Sequence, residues 1–230
     1  MRSSIVVQVP ATTANMGPGF DCIAMALDMW NLVHIEVGAL GFEVLGEGSD
    51  LLPANRSNLV YRSFCVPFAE SGEPVPAVRV VCENRIPVGR GLGSSAAAIL
   101  GGLVAGSKLC QRPLTQNRIL ELAAQMEGHS DNVAAALLGG CQIVVRAEKG
   151  LVNSDVPIPD GLRAIIFVPD NSTPTSESRA VLTQNVELSD AVYNVGRVAL
   201  LVRAFATGDL AHLSTATEDR LHRFISDPLA

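Results

Sequence analysis

The chain has 230 residues, 48% of them apolar, and a formal net charge of −6. That length gives one large domain or two small ones with ample material for a core, and the apolar share excludes an intrinsically disordered polymer. An acidic chain without a basic block argues against nucleic acid and anionic membrane surfaces as partners, yet small anions stay open, because backbone amides and metal ions hold those whatever the net charge.

In chain order, residues 4–9 (SIVVQV) read as a strand ended by Pro10. Residues 31–37 alternate and read as a second strand, with 41–47 as a candidate partner for it. Residues 57–70 look helical, interrupted at Pro67. Residues 78–83 (VRVVCE) are β-branched and strand-like. The stretch PVGRGLGSSAAA at 87–98 follows, and AAAILGGLVAGSKLC continues it as a helix apolar on all sides, hence a core helix. Thr115 reads as the N-cap of a helix running to about Gln125. Residues 131–138 make a short helix stopped by Gly139 and Gly140, and CQIVV reads as a strand.

Residues 150–160 read as a loop holding a domain boundary, with Pro157, Pro159 and Gly161 nearby. Residues 162–168 suggest another strand. Residues 189–206 carry apolar side chains at Val192, Val195, Val198, Ala199, Val202 and Phe205, which is helical spacing, and Gly208 suits the C-terminus. The cysteines Cys22, Cys65, Cys82, Cys110 and Cys141 are scattered, with no C-x-x-C pair, so reduced thiols in a cytosolic protein are expected. The apolar run before Pro10 is too short for a signal peptide. The most apolar window, 91–106, is broken by glycines and serines, and reads as a buried helix rather than a membrane span.

A strand, a loop of small residues and a helix aim several backbone N–H groups at one point, where the helix dipole adds about half a positive charge. Gly91 and Gly93 keep Cβ atoms out of a ligand's way, and Ser94 and Ser95 add hydroxyls for phosphate or a metal ion. On those residues alone, a phosphate cradle and a closely packed glycine-rich helix start both stay open. A Walker loop needs a lysine that is absent here. A dinucleotide fingerprint needs a strand and an acid after the helix, where QRPLTQNRILELAAQ gives a turn and a helix. A hydrolase elbow needs its serine directly after the strand, and PVGRG intervenes.

Pro87 through Ala97 resembles the ATP-phosphate motif of the GHMP kinases, which include galactokinase, homoserine kinase, mevalonate kinase and phosphomevalonate kinase. Pro10-Ala11-Thr12-Thr13-Ala14-Asn15, followed by Gly17-Pro18-Gly19-Phe20-Asp21, is similar to the homoserine kinase branch. So are Glu127-Gly128-His129-Ser130-Asp131-Asn132-Val133 with Leu138-Gly139-Gly140, and Thr175 four residues before Arg179. The blocks stand in the family's order and span nearly all of the chain.

The resemblance implies an α+β fold with the GHMP kinase two-domain architecture. An N-terminal, ATP-binding αβ domain of the ribosomal-protein-S5-domain-2-like kind would cover 1–155. An incomplete C-terminal αβ domain would cover 156–230. It implies a cytoplasmic kinase of threonine biosynthesis that moves a phosphoryl group from ATP, with Mg²⁺, to the side-chain hydroxyl of L-homoserine. By the same resemblance, Pro87, Val88, Gly89, Arg90, Gly91, Leu92, Gly93, Ser94, Ser95, Ala96 and Ala97 bind ATP, with Asn58 at the adenine. Ser95 and Glu127 are the Mg²⁺ ligands. Asn15, Asp21, His129 and Arg179 bind the substrate, Arg179 through the planar fork that suits a carboxylate. Asp21, Asn132 and Thr175 stand at the reacting groups. No general base is assigned: Asp21 either orients the hydroxyl or accepts its proton.

Plainer roles stand beside these. Asn15 and Asp21 favour turns in any case, Glu127 reads equally as a helix-end carboxylate, and His129 as a satisfied histidine at a helix start. The family's third glycine-rich motif has no counterpart, and Ser226 stands where a carboxylate-binding arginine is expected. A truncated nucleotide-binding remnant, a working short form completed by a partner chain such as a homodimer, and a kinase for another small hydroxylated metabolite are the alternatives.

Overall fold

The computed structural model of the chain describes residues 4–168 and 185–221. Strands β1 (Ser4–Ala14) and β2 (Ile23–Val37) pair antiparallel along almost their whole lengths, from Ser4 opposite Glu36 to Ala14 opposite Ala24. The register jumps between Pro10, opposite Trp30, and Ala11, opposite Leu27, so β2 carries a bulge at Asp28 and Met29. Pro10 therefore does not end β1. Among the described residues the strand pairs only β2, and a missing N–H is tolerated on an edge strand beside a bulge.

The long β2 serves two partners along its length. Its C-terminal half pairs antiparallel with β4 (Val78–Asn84), and its first residues with β5 (Cys141–Ala147). β3 (Gly41–Gly46) lies parallel to β4, not beside β2 as the alternation suggested. β4 already occupies that side of residues 32–37, and the intervening α1 (Leu59–Ser71) supplies the crossover that parallel neighbours need. β6 (Gly150–Val156) closes a tight hairpin with β5, Gly150 facing Ala147. The expected loop at 150–156 is thus a strand, whose exposed Asn153, Ser154 and Asp155 gave no sign of it.

Helices α2 (Ser94–Leu109), α3 (Gln116–Glu127) and α4 (Asp131–Leu138) pack with α1 and the sheet around one large core. As the all-round apolar pattern implied, α2 runs through the middle of it, with Ile99, Leu100 and Leu103 at most 1% exposed. No helix among the described residues is long and apolar enough to cross a membrane. A Cβ on Gly102 would lie 2.2 Å from the Val60 carbonyl oxygen, and one on Gly106 2.3 Å from that of Phe64. The two helices touch backbone to backbone, which only glycine allows. α1 is continuous through Pro67, because the missing hydrogen bond is offset by burying the ring against α2, and the helix ends at the left-handed Gly72. Thr115 caps α3 as expected, its Oγ1 accepting the Arg118 N–H at 3.3 Å.

α5 (Leu188–Thr207), a 3₁₀ turn at Leu210–His212 and the short α6 (Leu213–Ala216) meet the sheet through a second, smaller core of Ile23, Cys141, Val156, Leu201, Phe205 and Ala216. The helical spacing found α5, whose apolar residues divide between core and solvent: Val198, Val202 and Phe205 pack on the second core. Val192 and Val195 are 62% and 67% exposed, while Asn194 is buried, exchanging hydrogen bonds with Asp219 and Arg220. Residues 162–168 form no strand; no neighbour pairs with them among the described residues, and Phe167 is 90% exposed. All five cysteines are free, as expected.

Candidate active site

The site begins where β4 ends. Asn31 Oδ1 accepts the N–H groups of Arg85 and Ile86 at 2.8 and 3.0 Å, and the buried Ile86 anchors the turn that follows. Gly89, Gly91 and Gly93 then all take left-handed φ, +68°, +71° and +68°. Gly93 is the N-cap of α2, and its carbonyl accepts the Ala97 N–H at 2.9 Å. Having no side chain, it leaves the first-turn N–H groups uncapped, and no acid stands in that turn. This is a helix start built to receive an anion.

A Cβ on Gly93 would lie 2.0 Å from Thr12 Oγ1 and 3.3 Å from Asn132 Oδ1, so the loop is pressed onto both. Thr12 donates its N–H to the Leu92 carbonyl at 3.1 Å and its hydroxyl to Asn132 Oδ1 at 2.6 Å. The strand end, the glycine loop and the start of α4 therefore converge. Arg90, in the same loop, keeps guanidinium Nη1 buried without a hydrogen-bond partner among the described residues. Ala96 and Ala97 are fully buried in the core, so their side chains offer a ligand nothing.

Ser95 Oγ donates to Glu127 Oε1 at 2.5 Å, joining the first turn of α2 to the last residue of α3. The Glu127 side chain is only 7% exposed. Gly128, left-handed, ends α3 and turns the chain into α4. There Asp131, buried, accepts from the Asn132 N–H through Oδ1, and the same oxygen lies 2.8 Å from His129 Nδ1. That carboxylate places the ring proton on Nδ1 and leaves Nε2 facing Glu127 Oε1 at 3.7 Å. Asp131 Oδ2 is buried with no hydrogen-bond partner among the described residues.

Asn15 and Asp21 are the only non-glycine residues with positive φ, +58° and +56°, among the described residues. Asn15 Oδ1 accepts the Asp21 N–H at 2.9 Å, and its own N–H donates to the Ile23 carbonyl. Asn and Asp tolerate this conformation best, yet it stores strain of the sort found at ligand sites. The loop between them packs on the C-terminal segment: a Cβ on Gly17 would lie 2.8 Å from Thr217 Cα. The half-buried Cys22 thiol reports the charges around it. Burial raises its pKa most, and the carboxylates of Asp131 and then Asp21 raise it further. The first and third sequence blocks meet at Thr12, whose hydroxyl donates to Asn132 Oδ1.

Beside the start of α2 lies a cleft of about 340 Å³, walled by Leu52, Asn58, Leu59, Val88, Ser94 and Ser95 among others. Asn58 stands in its wall, but its amide is committed to the backbone. Oδ1 caps α1 through the Val60 N–H, and Nδ2 donates to the Pro53 carbonyl. Thr175 and Arg179 lie outside the described residues. The glycine loop, Ser95, Glu127, His129 and Asn132 come together around the start of α2, with Thr12 and Asp131, to which the sequence had given no role. For Asp131 the signal was its spacing, two residues after His129 and one before Asn132. Thr12 carried none beyond its place in the first block.

Among the described residues, no cluster of three or more His, Cys, Asp or Glu is set to hold a metal. The Ser95–Glu127 pair is a different kind of site, two oxygens beside the uncapped start of α2. Mg²⁺ fits it, since that ion takes one or two protein oxygens and leaves the rest to phosphates and water.

Comparison with known proteins gives the family. Residues 58–140 match the GHMP kinases N terminal domain. The homoserine kinase of Microchaete diplosiphon is 42% identical over 224 residues, 96% of this chain and 73% of that protein. That of Desulfitobacterium hafniense is 42% identical over 219 residues, 94% of this chain and 73% of that protein. The crystal structure of homoserine kinase from Cytophaga hutchinsonii superposes with a TM-score of 0.86 at 28% identity, covering 99% of this chain and 76% of that one. The chain is a kinase with ATP as the co-substrate its family implies, and it belongs to the homoserine kinase family of the GHMP kinases.

Proposed function

We propose that the chain transfers the γ-phosphoryl group of ATP to the side-chain hydroxyl of L-homoserine, giving O-phospho-L-homoserine for threonine biosynthesis. The observation that carries this reading is the convergence of the Ser95–Glu127 pair, the uncapped start of α2 and the Thr12–Asn132 contact, with the strained Asn15–Asp21 loop leading out of the strand that bears Thr12. Residues 1–155 act as the ATP-binding domain and 156–230 belong to the second.

In this reading the N–H groups at the start of α2 and the Arg90 guanidinium cradle the phosphates, and the adjacent cleft takes the base. Mg²⁺, when bound, neutralises charge on the phosphate oxygens. Ser95 and Glu127 are the residues to hold it. Asn15 and Asp21 hold the amino acid's ammonium and hydroxyl groups, His129 closes on the substrate, and Asn132 stands at the γ-phosphate. Thr175 joins Asn132 there, and Arg179 pairs with the substrate carboxylate. Such a reaction needs little covalent help: alignment and charge neutralisation supply most of the effect.

The test is ADP release with ATP, Mg²⁺ and a panel of acceptors: L-homoserine, L-threonine, mevalonate and galactose. L-Homoserine should lead in kcat/KM by at least roughly 100-fold, the scale on which a site that hydrogen-bonds its substrate discriminates. A better rate on another acceptor, or ATP binding with no ADP release on any of them, would reject the proposal.

A further inference from the structure

Asn132 has an asymmetric end: Oδ1 only accepts hydrogen bonds and Nδ2 only donates them. Phosphate oxygens only accept. A side-chain amide at a phosphoryl group therefore helps in one orientation and repels in the other, and a 180° flip exchanges the two. Something must choose.

Thr12 is placed to do so. It is 0% exposed at the end of β1, and its N–H is tied to the Leu92 carbonyl. Its hydroxyl donates to Asn132 Oδ1 at 2.6 Å and has no other hydrogen-bond partner among the described residues. Asn132 Nδ2 has no partner among them. Flipping the amide would turn Nδ2 onto Thr12 Oγ1 and strand the hydroxyl proton in a buried place, which is costly. Gly93, with room for no Cβ against Oγ1, closes the remaining side.

We propose that Thr12 is a positioning residue that holds the Asn132 amide with Nδ2 toward the phosphoryl group. This rests on the reading of Asn132 given above.

A double-mutant cycle tests it, with kcat and both KM values measured for Thr12→Val, Thr12→Ser, Asn132→Ala and Thr12→Val combined with Asn132→Ala. Thr12→Val keeps the shape and removes the hydroxyl. It should lower kcat about tenfold or more, on the scale of losing an oriented donor, with both KM values little changed. Thr12→Ser should keep most of the activity. Once Asn132 is alanine, Thr12→Val should cost nothing further. Asn132→Asp serves should Thr12→Val not fold: both carboxylate oxygens accept, so kcat should fall at least as far as in Asn132→Ala. Wild-type kcat in Asn132→Ala would overturn the reading of Asn132 and this inference with it. A large Asn132→Ala effect beside a neutral Thr12→Val, or an equal Thr12→Val loss in both backgrounds, overturns the Thr12 role alone; an active Asn132→Asp overturns the donor reading of Asn132 and this inference with it.

Discussion

Ser95 Oγ and Glu127 Oε1 stand 2.5 Å apart, although 32 residues separate them in the chain. The hydroxyl lies on an exposed residue and can hydrogen-bond water if the carboxylate is lost. Glu127→Gln should therefore leave the fold nearly intact and act on the cation. The Mg²⁺ concentration for half-maximal activity should rise about tenfold, as charge-assisted contacts are roughly twice as strong as neutral ones. A magnesium titration of the initial rate reads this directly, with a thermal melt as control. An unchanged magnesium requirement would remove Glu127 from the ion's ligands.

The glycine loop offers a sharper contrast. Gly91 and Gly93 share left-handed φ, +71° and +68°. A Cβ on Gly91 meets nothing within 4 Å, whereas one on Gly93 overlaps the buried Thr12 hydroxyl at 2.0 Å. Gly91→Ala should thus cost about 1–2 kcal/mol, the left-handed penalty alone. Gly93→Ala adds overpacking of about 1–3 kcal/mol and should displace Thr12 from Asn132. Melting curves should rank the two variants in that order, with nucleotide binding lost first in Gly93→Ala. Equal Tm losses would mean that the loop can shift away from β1.

Local chemistry made much of this legible. Thr115 announced α3, Gly139 stopped α4, and the apolar run after Ser94 declared a core helix. The residues around 93–95 and 127–132 were readable as blocks because each block is contiguous. What stayed hidden depends on partners far along the chain. β3 carries no local mark telling whether β2 or β4 will be its neighbour. Val192 and Val195 have the spacing of a core face, but Asn194 takes that place because Asp219 and Arg220 wait 25 residues on to receive it. Thr12 reads as one more β-branched strand residue until Asn132, 120 positions later, meets its hydroxyl.

Asn15 combines a left-handed backbone with a side chain that accepts the Asp21 N–H. Asn15→Gly keeps the conformation and drops the acceptor, whereas Asn15→Ala loses both. Asn15→Gly should cost little stability, and Asn15→Ala about 1–2 kcal/mol more than that, the price of a non-glycine Cβ in this region. Both should raise KM for L-homoserine well above any change in KM for ATP, as the acceptor-binding role proposed for the loop requires. Steady-state kinetics with each substrate varied in turn checks this. A parallel rise in both constants would mean that the loop serves the whole site.

Two buried thiols set an upper pH limit. Burial pushes Cys82 up to about 12, and burial, followed by the Asp155 carboxylate, pushes Cys141 up to about 11. In the unfolded chain both titrate near roughly 8.5. Between those values the unfolded chain gives up protons that the folded one keeps. The contribution is therefore fully present below about pH 8.5 and declines as pH rises toward the folded values, by up to about 1.4 kcal/mol per pH unit for each thiol. Lysines and tyrosines titrate in the same range, so the comparison must be between variants. Cys82→Ala leaves a small cavity and should be the less stable protein at pH 7. Its deficit should then shrink as pH climbs from 8 to 10, because only the parent loses the Cys82 contribution. Denaturant titrations of both proteins at each pH give the difference, and a gap that stays constant across that range would show that Cys82 ionises no later in the folded chain than in the unfolded one.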